Sequence, residues 1–93
     1  MEAPVLVTEA ILQHADDLEV QLWGCDAIWN MSGTERNQLA FVDAGALDVV
    51  LSAMDRFIGH MDVQEKAIAT ISNLAAAEDN MYRLVERLSL IHI

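Results

Sequence analysis

Val20-Gln21-Leu22-Trp23-Gly24-Cys25-Asp26-Ala27-Ile28-Trp29-Asn30-Met31 is followed, 43 residues later, by Val63-Gln64-Glu65-Lys66-Ala67-Ile68-Ala69-Thr70-Ile71-Ser72-Asn73-Leu74. The two stretches carry one pattern. Val20, Gly24, Ala27, Ile28 and Met31 stand at i, i+4, i+7, i+8 and i+11, a continuous helical stripe. Val63, Ala67, Thr70, Ile71 and Leu74 repeat it. Leu22, Cys25 and Trp29 add a second apolar line, so the first helix is apolar nearly all round and is expected to be enclosed. Trp29 is expected inside, between repeats. Asp16 with Glu19, and Asp62 with Glu65, have capping-box spacing, and Gly33 suits the position after the helix end. The long helix is therefore predicted at 18–32 and again at 62–76.

The register extends outward from this helix. Without a gap, residues 6–43 pair with 49–86, and nine of the 38 pairs are identical. Between the two long helices the pattern predicts a short helix over 35–43, with Thr34 as N-cap. Ala44-Gly45 ends it. A medium helix over 46–58 follows, with Leu47, Val50, Leu51 and Met54 at i, i+3, i+4 and i+7. A first medium helix begins near Val5. No segment alternates with period two, so strands are not expected. Ile28, Met31, Val50, Leu51, Met54, Ile71 and Leu74 should be among the least accessible residues. Gly24 costs about 1 kcal/mol relative to Ala in mid-helix. Its counterpart is Ala67, which points to a close helix crossing. Thr70, on the core stripe, can bond back to the carbonyl four residues earlier.

Composition agrees with one all-α domain. The chain has 93 residues, 54% apolar but only 5% aromatic. Fifteen acidic and five basic residues leave a formal charge of −10, with a pI near 4.3. That balance argues against nucleic acid and against anionic membrane surfaces, which both require clustered Lys and Arg. The single cysteine allows no internal disulfide. No run approaches the roughly 18 apolar residues of a spanning helix. Met1-Glu2-Ala3-Pro4 has no basic region of the signal-peptide kind. These features predict an intracellular protein, cytoplasmic or nuclear.

Asn37-Gln38-Leu39-Ala40-Phe41-Val42-Asp43-Ala44-Gly45-Ala46-Leu47 resembles the junction of first and second helices in the armadillo repeat family. Ala27-Ile28-Trp29-Asn30-Met31-Ser32 and Thr70-Ile71-Ser72-Asn73-Leu74-Ala75 resemble the end of that family's third helix. The 43-residue period lies in the range of armadillo and HEAT units. The resemblance implies a right-handed αα-superhelix, an armadillo-like solenoid of about two repeats. Residues 5–33 would be a partial repeat with the medium and long helices, 34–76 a complete one, and 77–86 the start of a third. After Glu86 the register is lost, and 87–93 are expected to be a non-repeat tail. A solenoid unit buries its apolar face only against neighbours. The chain therefore reads as a fragment of a longer array, expected to self-associate when isolated.

The resemblance further implies a binding scaffold whose third helices line a concave groove, with Asn side chains holding the backbone of an extended peptide. Asn30 and Asn73 match that slot. In the similar nuclear-import adaptors a Trp one turn earlier shapes pockets for Lys. Those slots here hold Asp26 and Ala69, a departure from that pattern. The chemistry of Asn supports the slot independently, because one amide offers both donors and acceptors. Trp23 and Asp26 share a helical face with Asn30, and Lys66 and Ala69 share one with Asn73. A basic peptide would suit the acid balance. The competing reading is that each Asn bonds the helix end of a neighbouring repeat.

Catalysis is not expected. Cys25 lies in an apolar line with no basic neighbour in sequence to activate it. His14, His60 and His92 share no ligand spacing, and no Gly-rich phosphate loop occurs. No metal or cofactor is implied. The sequence thus predicts a non-catalytic protein-interaction scaffold. The alternative is a regulatory or oligomerisation armadillo-type segment of a larger enzyme, such as a kinase or ubiquitin ligase.

Overall fold

The computed structural model describes residues 3–91, and all its regular structure is helical. Six helices follow one another: α1 (Ala3–Gln13), α2 (Leu18–Met31), α3 (Glu35–Asp43), α4 (Ala46–Arg56), α5 (Met61–Leu74) and α6 (Glu78–Ile91). α4, α5 and α6 begin 43 residues after α1, α2 and α3 respectively. α1 and α4 have 11 residues each, and α2 and α5 have 14 each. The sequence period is therefore a structural period of three helices. His92 and Ile93 lie outside the described residues.

Local chemistry explains most boundaries. The Thr34 side chain accepts from the Asn37 N–H and caps α3. The first long helix is capped by Asp17, whose carboxylate accepts from the Val20 N–H at 3.2 Å. The expected cap, Asp16, is displaced by one position and instead pairs with Arg56. The second long helix has no side-chain cap. It starts at Met61 after His60, so Asp62 lies in its first turn, where the helix dipole favours a carboxylate. Between α3 and α4 the chain turns at Gly45, whose φ is +95°. A residue with a Cβ resists that region by roughly 1–2 kcal/mol.

The same position explains why α6 differs from α3. The counterpart of Gly45 is Leu88, which cannot make this turn cheaply. The helix therefore runs on to Ile91 instead of ending near Glu86. Residues 87–91 are the last turns of α6.

The core is built from one stripe of each helix. Ile28, Val50 and Leu74 have no accessible surface, and Ile11, Phe41, Val63 and Ala67 join them within the buried set. Met31, Leu51, Met54 and Ile71, expected to be equally inaccessible, are half-buried. Trp29 is the clear departure, with 51% of its surface exposed. α2 buries Gln21, Gly24, Cys25 and Ile28, and Trp29 falls one position beyond that stripe. A Cβ on Gly24 would overlap Cγ1 of Ile11 and stand 2.5 Å from its Cδ1. The glycine thus permits the close crossing of α1 and α2. Thr70 behaves as its place predicts: its hydroxyl lies 2.7 Å from the Lys66 carbonyl oxygen, and 3.1 Å from that of Cys25 on α2.

Among the described residues no helix is long and apolar enough to cross a membrane.

Candidate protein-binding face

α2 and α5 pack side by side, and the five candidate residues are distributed along this pair. Trp23, Asp26 and Asn30 lie on one exposed face of α2; Trp23 keeps 62% of its surface. Lys66 of α5 reaches across to Asp26, with Nζ 2.8 Å from Oδ1 and 3.0 Å from Oδ2. This hydrogen bond to Asp26 is the main cause of an upward shift in the Lys66 pKa. The pair is exposed, so solvent screening leaves it little net stability. Its value is positional: it fixes the acid and the base beside Trp23.

The two Asn residues have unlike surroundings. Asn30 is exposed. Asn73 is half-buried, and its amide nitrogen donates to the Trp29 carbonyl oxygen at 3.0 Å and to Ser32 Oγ at 2.7 Å. Both amide hydrogens of Asn73 therefore tie α5 to the end of α2, which is the competing reading of that position. Its Oδ1 is the atom left for an outside donor. The Asn73 bond also holds the Trp29 backbone, and the Trp29 ring is exposed near the C-terminal end of α2. Two indoles, Trp23 and Trp29, thus rise from α2 on either side of Asp26 in sequence.

Other repeated polar residues prove to be structural. The Gln21 amide nitrogen donates to the carbonyls of Ile11 (3.1 Å) and His14 (2.8 Å). Gln64 donates to those of Met54 and Phe57, both at 3.0 Å, which are the same positions 43 residues on. Asn37 donates to the Met31 carbonyl at 2.8 Å, and Asn80 to that of Leu74 at 2.9 Å. Ile11, Met31, Met54 and Leu74 offer carbonyls from the last turn of a helix, whereas those of His14 and Phe57 also accept the N–H groups of Asp17 and His60. The identity of Gln21 with Gln64 was visible in the sequence; what it bonds was not.

Three further ion pairs lie outside this face: Asp16–Arg56, Asp43–Arg83 and Asp48–Arg87. Four of the five basic side chains are thereby matched to aspartates, which leaves the remaining surface strongly acidic. Cys25 is 1% exposed, and burial, aided by the nearby Asp26 carboxylate, pushes its thiol up to about 11. A thiol so held stays protonated and unreactive at neutral pH. Among the described residues no three His, Cys, Asp or Glu side chains converge as a metal site would require.

Neither protein-family models, nor curated proteins, nor solved structures yield a match to this chain.

Proposed function

We propose that this chain is a non-catalytic protein-interaction scaffold, an armadillo-like right-handed αα-superhelix of about two repeats. It binds an extended, basic or amphipathic peptide segment of a partner protein along the α2–α5 face. The observation that carries the reading is the pair of half-exposed or more exposed indoles, Trp23 and Trp29, flanking an anchored Asp26. Tryptophan is among the residue types that dominate binding energy at interfaces. Leaving two of them in water on one helix is costly without a partner to cover them. Asn30 and the free Oδ1 of Asn73 would replace water on the backbone of the bound segment. Asp26, Lys66 and the acidic surroundings would select charge and speed encounter.

The test is selection from a displayed library of unstructured peptides on the intact chain. Enriched sequences should carry Lys or Arg beside apolar residues. Trp23→Ala and Asn30→Ala should each weaken such a peptide by about 1–3 kcal/mol, with little change in melting temperature. Selection without enrichment, or binding indifferent to Trp23→Ala and Trp29→Ala alike, would refute the proposal.

A further inference from the structure

The three-helix period makes each residue of α1–α3 the counterpart of one in α4–α6, so differences in burial between counterparts reveal what one triplet does for the other. Val49 is 7% exposed, and its counterpart Leu6 is 52%. Asn80 is fully buried, whereas Asn37 is exposed. These positions of the second triplet are covered by the first. In the opposite sense, Cys25 is 1% exposed and its counterpart Ile68 is 56%. The chain thus carries two unlike faces, a head on α1–α3 and a tail on α4–α6, that match the two sides of its own internal junction.

A cleft marks the tail face. In the internal junction, Ile11, Leu12, Ala15 and Gln21 line one wall of a hollow whose other wall is α4, through Val49 and Ala53. Their counterparts, Met54, Asp55, Ile58 and Gln64, line a cleft of about 770 Å³ that holds no helix. Leu88 and Leu90 of α6 form its other wall. The positions that would face it by translation are Leu6 and Ala10, on α1.

Charge decides what kind of occupant suits the face. Three ion pairs staple the internal junction, each joining residues 40 apart: Asp16–Arg56, Asp26–Lys66 and Asp43–Arg83. Carried forward by one period, they become Gly59–Gln13, Ala69–Trp23 and Glu86–Ala40, with the second residue of each taken from a following α1–α3. No like charges meet, and five of the six residues are uncharged. Asn30, counterpart of Asn73, would donate to the Ser72 carbonyl as Asn73 does to Trp29.

We propose that the tail face of one chain receives the head face of a second copy, with α1 seated in the α4–α6 cleft and Leu6 its principal inserted side chain. The contact is heterologous, because head and tail are different surfaces, so it does not close on itself and association is open-ended. It is apolar where the internal junction is ionic. With a charge of −10 on each copy, salt screens the long-range repulsion without breaking any pair at the contact. The contact would engage Trp23 and Asn30 of the peptide-binding face, but its test rests on Leu6, Ile58 and Ile68, which lie outside that face, so the two readings can fail separately.

The experiment is sedimentation equilibrium of the full chain with three exposed-site variants: Leu6→Asp on the head, and Ile58→Asp and Ile68→Asp on the tail. The weight-average mass of the parent chain should climb with concentration without a plateau, and more steeply in high salt. Each variant alone should remain a monomer with unchanged far-UV circular dichroism. Mixing Leu6→Asp with either tail variant should give 1:1 dimers and nothing larger, because one intact head then meets one intact tail. A parent chain that stays monomeric overturns the proposal. So do association abolished by salt, and mixtures that remain monomeric.

Discussion

Gly24→Ala pits two effects of known size against each other. On helix propensity alone, replacing a mid-helix glycine with alanine stabilises by about 1 kcal/mol. Here the new Cβ would overlap Cγ1 of Ile11. Ile11 is 1% exposed within the core and β-branched on a helix, so one χ1 rotamer dominates and it cannot swing aside. Overpacking of this kind costs about 1–3 kcal/mol. The net expectation is a loss of up to about 2 kcal/mol, opposite in sign to the propensity. The second triplet supplies the compensation. It holds Ala67 opposite Met54, the counterparts of Gly24 and Ile11, and methionine is unbranched and adaptable. Combining Gly24→Ala with Ile11→Met should therefore recover about 1–2 kcal/mol relative to the sum of the single changes. Urea denaturation followed by circular dichroism on the four members of this cycle measures both quantities. Stabilisation by Gly24→Ala alone, or strict additivity in the cycle, would refute the close-crossing account.

Three further expectations follow from burial. Ile28→Ala should cost about 2–5 kcal/mol, while Leu51→Ala, at a half-buried site, should cost less than half as much; equal losses in urea denaturation would contradict the burial difference. The Thr8 hydroxyl is buried without a partner, so Thr8→Val should be neutral or raise stability by about 1 kcal/mol, and a melting point lowered by several degrees would show that the hydroxyl is satisfied. The Cys25 thiol has its pKa raised on folding, so its contribution is complete below its ordinary value of 9.0 and is lost as pH climbs through about 11. Stability should decline on the order of 2–3 kcal/mol more across that alkaline window in the parent chain than in Cys25→Ala, as read by denaturation at each pH, and the native thiol should resist a disulfide reagent at neutral pH.

The α2–α5 face was legible in part. Trp23, Asp26 and Asn30 share a helical angle that follows from spacing alone, and the structure leaves all three exposed. That Lys66 would close on Asp26 required knowing how far α5 slides along α2. The same relative placement commits the Asn73 amide to the end of α2 while leaving Asn30 open, although the two residues are identical in the repeat.

The sequence by itself determined the all-helical class, the three-helix period of 43 residues and most helix limits. Those are local matters: a Thr34 cap, a Gly45 turn, a stripe with helical spacing. They depend on residues a few positions apart, which the sequence lists side by side. Tertiary structure alone decided which members of the two apolar lines on α2 became core. Both lines satisfy the helical pattern, and the docking of α5 covered Cys25 while leaving Trp29 half in water. It also decided the course of α6 over the flank of α4, since no nearby residue specifies where a helix without a stop signal comes to rest. Burial is settled between elements far apart in the chain, so periodicity can nominate apolar lines but cannot choose which of their members a neighbouring helix covers.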